Sequence, residues 1–361
     1  MNDSRACDRC LKRTWLLARL SGHLDHAPGR VEEVLELADA ELLAALAGAR
    51  REAVAAEYAR VQPMALQQRV AAAGLEMICR CDPHYPRRLR ALSSAPAVLH
   101  AGGGLERFLE LMASDPVAIV GARRASGYGL EVARALGRGL ASAGVPVVSG
   151  MAIGIDSAVH GGGLDAAAPT VAVLPGGAEK PYPTGKRPLY NRICGGGAVV
   201  SELPPGTAVR RWMFPARNRI IAALSSATVV VEARERSGAL LTSSTAAELG
   251  RAVGAVPGRI TSPLAAGPHR LLAGGAAIIR GPQDVLDLLF GPGARKASAQ
   301  ARVALSDELE CVLRAISDGH DTIAALARVG LPAQEALTAL SSLELTGYVR
   351  REAGGRYRVV P

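Results

Sequence analysis

Aromatic residues are scarce, 3% of 361 positions, and lysine is scarcer still, so that arginine supplies nearly all of the 42 cations. That bias runs through the whole chain and makes a raw arginine count weak support for an acidic partner. No run of about 18 apolar residues occurs, which argues against a helical membrane span. The opening MNDSRACDRCLKRTW lacks the apolar stretch of a signal peptide, so a cytoplasmic location is expected. Cysteine is also sparse. Six cysteines in a reducing compartment imply no disulfide framework. Missing too are a G-x-G-x-x-G fingerprint, a P-loop lysine, and an acidic residue after the second α/β strand to hold an NAD ribose. No serine or cysteine nucleophile stands paired with a base. No catalytic residue and no cofactor are therefore assigned.

What is present falls into three parts. Residues 1–95 read as helical, in the manner of a small SAM or helix-hairpin-helix domain: TWLLARLSG, VEEVLELAD, ELLAALAGA and REAVAAEYARV repeat apolar residues at three- and four-residue spacing. Over 96–290, short apolar runs alternate with helical stretches: PVAIVG, VPVVSG, TVAVLP, AVVSE, ATVVVEA, AVGAVPG and AAIIRG. Continuous apolar strands between helices predict a doubly wound, mostly parallel α/β sheet of Rossmann-like type, covered on both faces. Residues 291–304 form a Gly/Ala/Ser-rich linker. Residues 305–361 read as three short helices and a hairpin turning at Gly354-Gly355, a winged-helix domain. No internal repeat is evident.

Charge is unevenly placed. Net charge is +9, and 179–219 alone carries Lys180, Lys186, Arg187, Arg192, Arg210, Arg211, Arg217 and Arg219 against Glu179 and Glu202. A clustered surplus points to a polyanion; a dispersed one is usually solubility. Tyr182, Tyr190, Trp212 and Phe214 fall among these cations. Cations with interleaved aromatics suit single-stranded nucleic acid, whose bases stack while phosphates are neutralised. A core position under a loop is the alternative for Trp212 and Phe214.

In an open α/β sheet, ligands bind where loops leave the carboxyl ends of the strands. The first such loop, GARRASGYG, offers Gly121, Ala122, Arg123 and Ser126 at a helix start, a phosphate cradle by type. The second brings Gly150 and Gly154, with Asp156 and His160 one helical turn apart. That pair reads either as acid and base or, more plainly, as a cap and a packed histidine. The third brings Gly176, Gly177 and Lys180. Later come Arg217, Asn218 and Arg219 at a helix start, then Ser237, Gly238 and Thr242. Three consecutive residues on a helix point in different directions, so Arg217, Asn218 and Arg219 do not all reach one ligand.

Read together, VAIVGARRASGYG, VVSGMAIGIDSAVH, VAVLPGGAEKPYP, SELPPG, FPARNRII, VVVEARERSGALLT, ELGRAVGAVPG and LLAGGA resemble the core of the DNA-processing protein A (DprA or Smf) family. The resemblance covers about 110–290, with the flanking parts similar to accessory domains of that family. It implies binding of single-stranded DNA, loading of the recombinase RecA in natural transformation and recombination, a homodimer formed through the α/β domain, and no catalysis. By position, the family's phosphate loop falls on Gly121, Ala122 and Arg123, its lysine before Tyr-Pro on Lys180, and its R-N-R on Arg217, Asn218 and Arg219. Ser243 and Ser244 stand where the family commonly carries Ala-Arg, so one cation of its pattern is absent.

Other readings have sequence support of their own. A nucleotide-processing enzyme of the nucleoside-monophosphate phosphoribohydrolase kind uses a similar rim, but its P-G-G-x-G-T-x-x-E loop would correspond here to RSGALLTSSTAAE, without the double glycine or the spacing. A transcription factor is a third reading. AQEALTALSSLELTG, the helix a winged helix would place in the groove, has no cation, which favours a protein-contact or regulatory tail. Finally, Cys7-x-x-Cys10 together with Cys79, Cys81 and His84 could make a tetrahedral zinc site; incidental reduced cysteines are the alternative.

Overall fold

A computed structural model describes residues 5–26, 30–297 and 305–360, so the last seven residues of the expected linker, 298–304, lie outside the described residues. Contacts divide the chain into two units, 1–297 and 298–361. The larger holds a nine-stranded sheet: β1 (Glu76–Cys79), β2 (Val98–Gly102), β3 (Val117–Val120), β4 (Val147–Ser149), β5 (Thr170–Val173), β6 (Ala198–Ser201), β7 (Ala227–Val230), β8 (Ala252–Ala255) and β9 (Ala277–Ile278). Their order is β1-β2-β6-β5-β4-β3-β7-β8-β9. The seven strands from β6 to β9 are mutually parallel, while β2 runs antiparallel to both β1 and β6.

The expected strands form because both faces are covered. On β3, Ala118 and Val120 pack into one cluster with Ile220, Leu224 and Leu240; Val117 and Ile119 pack into the opposite cluster with Val132, Leu136 and Val159. Burial of each such side chain stabilises by about 1.5–3 kcal/mol. The helix after β3, Gly127–Ser142, thus covers one face, and the helix after β7, Gly238–Glu248, covers the other. Adjacent strands whose crossovers depart to opposite faces leave a crevice at their carboxyl ends. That crevice lies between β3 and β7.

The helical N-terminal stretch ends earlier than the sequence indicates, because residues 76–79 form an edge strand in register with 98–101. The helices before it pack on the sheet domain itself. Leu16, Leu20, Leu24 and Leu42 share a core with Leu203, Trp212 and Met213, and Thr14 Oγ1 donates to the Glu202 carbonyl (2.8 Å). The smaller unit has helices Asp307–Ser317, Ile323–Arg328 and Ala333–Leu345, then β10 (Val349–Arg351) paired antiparallel with β11 (Tyr357–Val359). Val312, Leu326, Leu340 and Tyr357 form its core, a winged helix as expected.

Candidate nucleic-acid interface

Gly121 and Arg123 from the loop after β3, Arg217 and Asn218 from the helix Met213–Leu224, and Ser237, Gly238 and Thr242 from the helix after β7 line one cleft of about 410 Å³ at the switch point. With Asp156 and Phe214, which line the same cleft, nine of the residues singled out in the sequence therefore converge. Arg123 is exposed, and its guanidinium lies 4.6 Å from the Phe214 ring centroid, a cation–π arrangement. Tyr182, also exposed, follows at 5.6 Å from Phe214, tilted by 56°. Arg123 and Phe214 line the cleft, and Tyr182, packed on Phe214 but outside the lining, extends this ledge beyond its rim. Ser237 caps the helix Gly238–Glu248, accepting from the Ala239 amide at 3.4 Å, and so turns that N-terminus toward the same space. Asn218 Nδ2 donates to the Gly238 carbonyl (3.1 Å), and Thr242 is buried with its hydroxyl on the same carbonyl (3.4 Å).

Arg217 is the floor. Its side chain is 6% exposed, Nη1 donates to the Val173 carbonyl (2.9 Å), and Nε has no partner among the described residues. Burial pulls its pKa down to about 10; Asp156 opposes that and Arg123 reinforces it, and the group stays cationic at neutral pH. Gly150 makes the seat: a Cβ there would coincide with the Arg217 guanidinium. In the same loop Met151 is buried at φ 56, a left-handed conformation unusual for a side chain of this size. Strain of this kind persists only where the surroundings over-determine it.

Asp156 and His160 do not act as a pair. Asp156 turns back on its own loop, accepting from the Ala152 amide (3.4 Å), and burial raises its pKa. His160 is fully buried with Nδ1 2.7 Å from Thr170 Oγ1, whose hydrogen goes to the Val147 carbonyl (2.9 Å). Nδ1 is then the donor, and the ring is neutral. Burial, aided by Arg217, pulls the His160 pKa to about 3, and burial pulls that of His100, on β2, to about 4, from 6.5. Below about pH 6.5 the unfolded chain takes up protons at both rings that the native state refuses, so stability falls with pH until those folded values are reached. Asp156, raised by burial, acts in the opposite sense over the same range, so the rings themselves are the test: the imidazole signals of His160 and His100 are expected to stay unshifted by NMR between about pH 7.5 and pH 5, and titration of either ring near 6.5 would contradict the buried neutral assignment.

Several expected ligands have other work. Ser126, expected as a phosphate donor, instead donates its amide to Glu232 Oε2 (2.9 Å) and its hydroxyl to Oε1 (2.5 Å), while its oxygen caps Gly129 N (3.1 Å). The protein places its own buried carboxylate at that helix start, where the dipole favours an anion. Ala122 is bound on both sides, its amide to the Glu232 carbonyl (2.7 Å) and its carbonyl to the Ile155 amide (3.3 Å). Arg219 is fully buried, with Nη2 2.8 and 2.7 Å from the two Glu202 oxygens. It is a structural ion pair, not a surface cation. Gly176 is buried against Val209 and lies off the cleft lining, as does Lys180, exposed and 3.8 Å from Glu179. Trp212 is core, 2% exposed, and Tyr190 is half-buried with its hydroxyl on the Ala178 carbonyl (2.8 Å).

Sequence reasoning missed Glu232 and Arg236. Arg236 is exposed and lines the cleft. Its signal was available: a cation immediately before the Ser237-Gly238 helix start, after a buried strand.

These features define a class: a doubly wound α/β protein with a cationic, aromatic-edged cleft at its switch point and a winged-helix unit behind it in sequence. Residues 76–290 match the family described as DNA recombination-mediator protein A, and 296–355 match the DprA winged helix domain. The chain belongs to the DNA recombination-mediator protein A family. It is 41% identical over 281 residues to a DprA-named protein of Mycobacterium tuberculosis, covering 76% of this chain and 71% of that one. It is 36% identical over 286 residues to protein Smf of Escherichia coli, covering 76% and 75%. Among solved structures, DNA processing protein A of Streptococcus pneumoniae superposes with TM-score 0.62 at 32% identity, over 77% of this chain and 95% of that one. The Helicobacter pylori protein, whose structure is described for its single-stranded DNA binding mode, gives TM-score 0.53 at 26% identity, over 60% and 95%.

Proposed function

We propose that this chain binds single-stranded DNA along the switch-point cleft and delivers it to the recombinase RecA, acting as a homodimer in the cytoplasm during DNA uptake and recombination, without catalysis of its own. The observation that carries the reading is the Arg123–Phe214–Tyr182 ledge beside the helix start at Gly238. Rings at that height stack on bases, and Arg123, Arg236 and the helix amides meet phosphates. The Helicobacter pylori relative supports the choice of a single strand. The phosphoribohydrolase alternative loses support: Glu248 ends the helix Gly238–Glu248, about 15 Å from its cleft end at 1.5 Å per residue.

Arg123→Ala is expected to weaken oligo-dT binding by about ten- to a hundredfold, as loss of one charge-assisted contact of about 1.5–3 kcal/mol. The log–log salt slope should fall by about 0.7, the value for one phosphate on a single strand. Fluorescence anisotropy across a salt series reads both. Unchanged affinity and slope would reject the cleft as the DNA site. Transfer is tested by filament growth of the recombinase on oligo-dT coated with single-strand-binding protein, which the wild-type chain should accelerate and Arg123→Ala should not. The homodimer is tested by sedimentation equilibrium, with twice the chain mass expected.

A further inference from the structure

Far from the cleft, four cysteines from two distant stretches meet. The Sγ atoms of Cys7, Cys10, Cys79 and Cys81 all lie within 4.8 Å of one another. Cys7 is the residue before the helix Asp8–Arg19 and Cys10 lies in its first turn, so the C-x-x-C spacing presents two sulfurs at one helix start. Cys79 closes β1, and the turn that follows, with the Asp82 amide on the Cys79 carbonyl (2.9 Å), returns Cys81 to the same point. The two arms are joined directly: the Cys79 amide donates to the Arg5 carbonyl (2.8 Å), and Arg5 bridges Ile78 in parallel.

The spacing fits a metal. Zinc–sulfur bonds of about 2.3 Å set the edge of a regular tetrahedron at about 3.8 Å. The Cys10 and Cys81 sulfurs are 3.8 Å apart, whereas a disulfide would hold them at about 2.05 Å. The surroundings fit as well. The Cys7 amide donates to Cys79 Sγ (3.4 Å), and Arg9 Nη2 approaches Cys81 Sγ (3.9 Å), donors of the kind that offset the charge of clustered thiolates. Cys10 and Cys79 are buried beside Ala6, Leu11, Ala97 and Val98, which keeps water from the inner half of the cluster. His84 stands outside the set, its amide (2.8 Å) and Nδ1 (3.2 Å) on Asp82 Oδ1.

We propose that Cys7, Cys10, Cys79 and Cys81 bind one zinc ion that fastens the first helix to the edge strand β1. Four protein thiolates fill the coordination sphere, so the ion is structural and has no open position for chemistry. β1 is five strands from β3, about 24 Å at the usual strand spacing, so the ion does not take part in the cleft.

Full-length protein, purified under reducing conditions without a metal-affinity step, is expected to carry about one zinc per chain by elemental analysis. Cys10→Ser and Cys81→Ser should each lose it. Because either variant can also fail to fold, the second measurement uses the wild type: zinc is removed by chelation and cobalt(II) added. Intense visible ligand-field bands and a sulfur-to-cobalt charge-transfer band mark a tetrahedral thiolate site and support the proposal. Wild-type protein free of zinc that also gives only the pale spectrum of octahedral cobalt would overturn it, and so would iron in place of zinc.

Discussion

Arg219→Ala is expected to destabilise the larger unit by about 3–5 kcal/mol, the cost of leaving one partner of a buried ion pair uncompensated. The pair is enclosed: Arg219 is fully buried, its Nη2 spans both oxygens of Glu202, and the Glu202 carbonyl accepts from Thr14 of the first helix. The substitution strands a carboxylate between the sheet domain and the N-terminal helices and also removes volume from a packed core. Replacing both partners with apolar residues, Arg219→Met with Glu202→Leu, should recover most of the loss, because a buried pair is close to neutral against a hydrophobic substitute. Urea unfolding of the single and double variants reads this. A loss below about 1 kcal/mol for Arg219→Ala, in the range of exposed pairs, would mean that Arg219 faces solvent and is available to DNA.

Gly154→Ala is expected to be comparably damaging and to act on the cleft itself. Gly154 has φ 89, a region that L side chains rarely adopt, and a Cβ there would clash with the Ala122 carbonyl oxygen and lie 2.7 Å from that of Arg123. Neither neighbour is the flexible end of a side chain. The loop after β4 must then back away from the loop after β3, and Arg123 moves with it. Backbone strain of about 1–3 kcal/mol and overpacking of about 1–3 kcal/mol add in the same direction. The thermal midpoint of the larger unit should fall and oligo-dT affinity should be lost with it, while the winged-helix unit, which contributes none of these contacts, melts as before. A variant with wild-type affinity would show that the two loops are not coupled as described.

The seven parallel strands were legible as short apolar runs: β3 to β7 are buried at every position, and β8 and β9, toward the sheet edge, are only partly buried but keep the same apolar character. β1 and β2 were not. Glu76–Cys79 sits among helical spacings, and Val98–Gly102 follows a proline-bearing segment and carries a fully buried histidine, so neither shows clean alternation. At the site, the loops were legible and the directions of their side chains were not. The eight cations of 179–219 do not form one surface: Arg217 and Arg219 are buried, Arg192 pairs with Asp165 (2.8 Å), and Arg210 lies 3.5 Å from Asp25. Residues 217–219 diverge around their helix, which sends Arg217 and Asn218 to the cleft and Arg219 to Glu202. Glu232 was unreadable as the occupant of a helix start because its partner, Ser126, is 106 residues away in sequence.

The claim at the centre of this account is that unpaired DNA lies on the Arg123–Phe214–Tyr182 ledge. Short-wavelength ultraviolet crosslinking of oligo-dT to the full-length protein, followed by mass spectrometry of the adducts, tests it most directly. Adducts on Phe214 or Tyr182 are predicted, diminishing in Arg123→Ala. Adducts confined to residues 305–360, with none between 121 and 242, would contradict it.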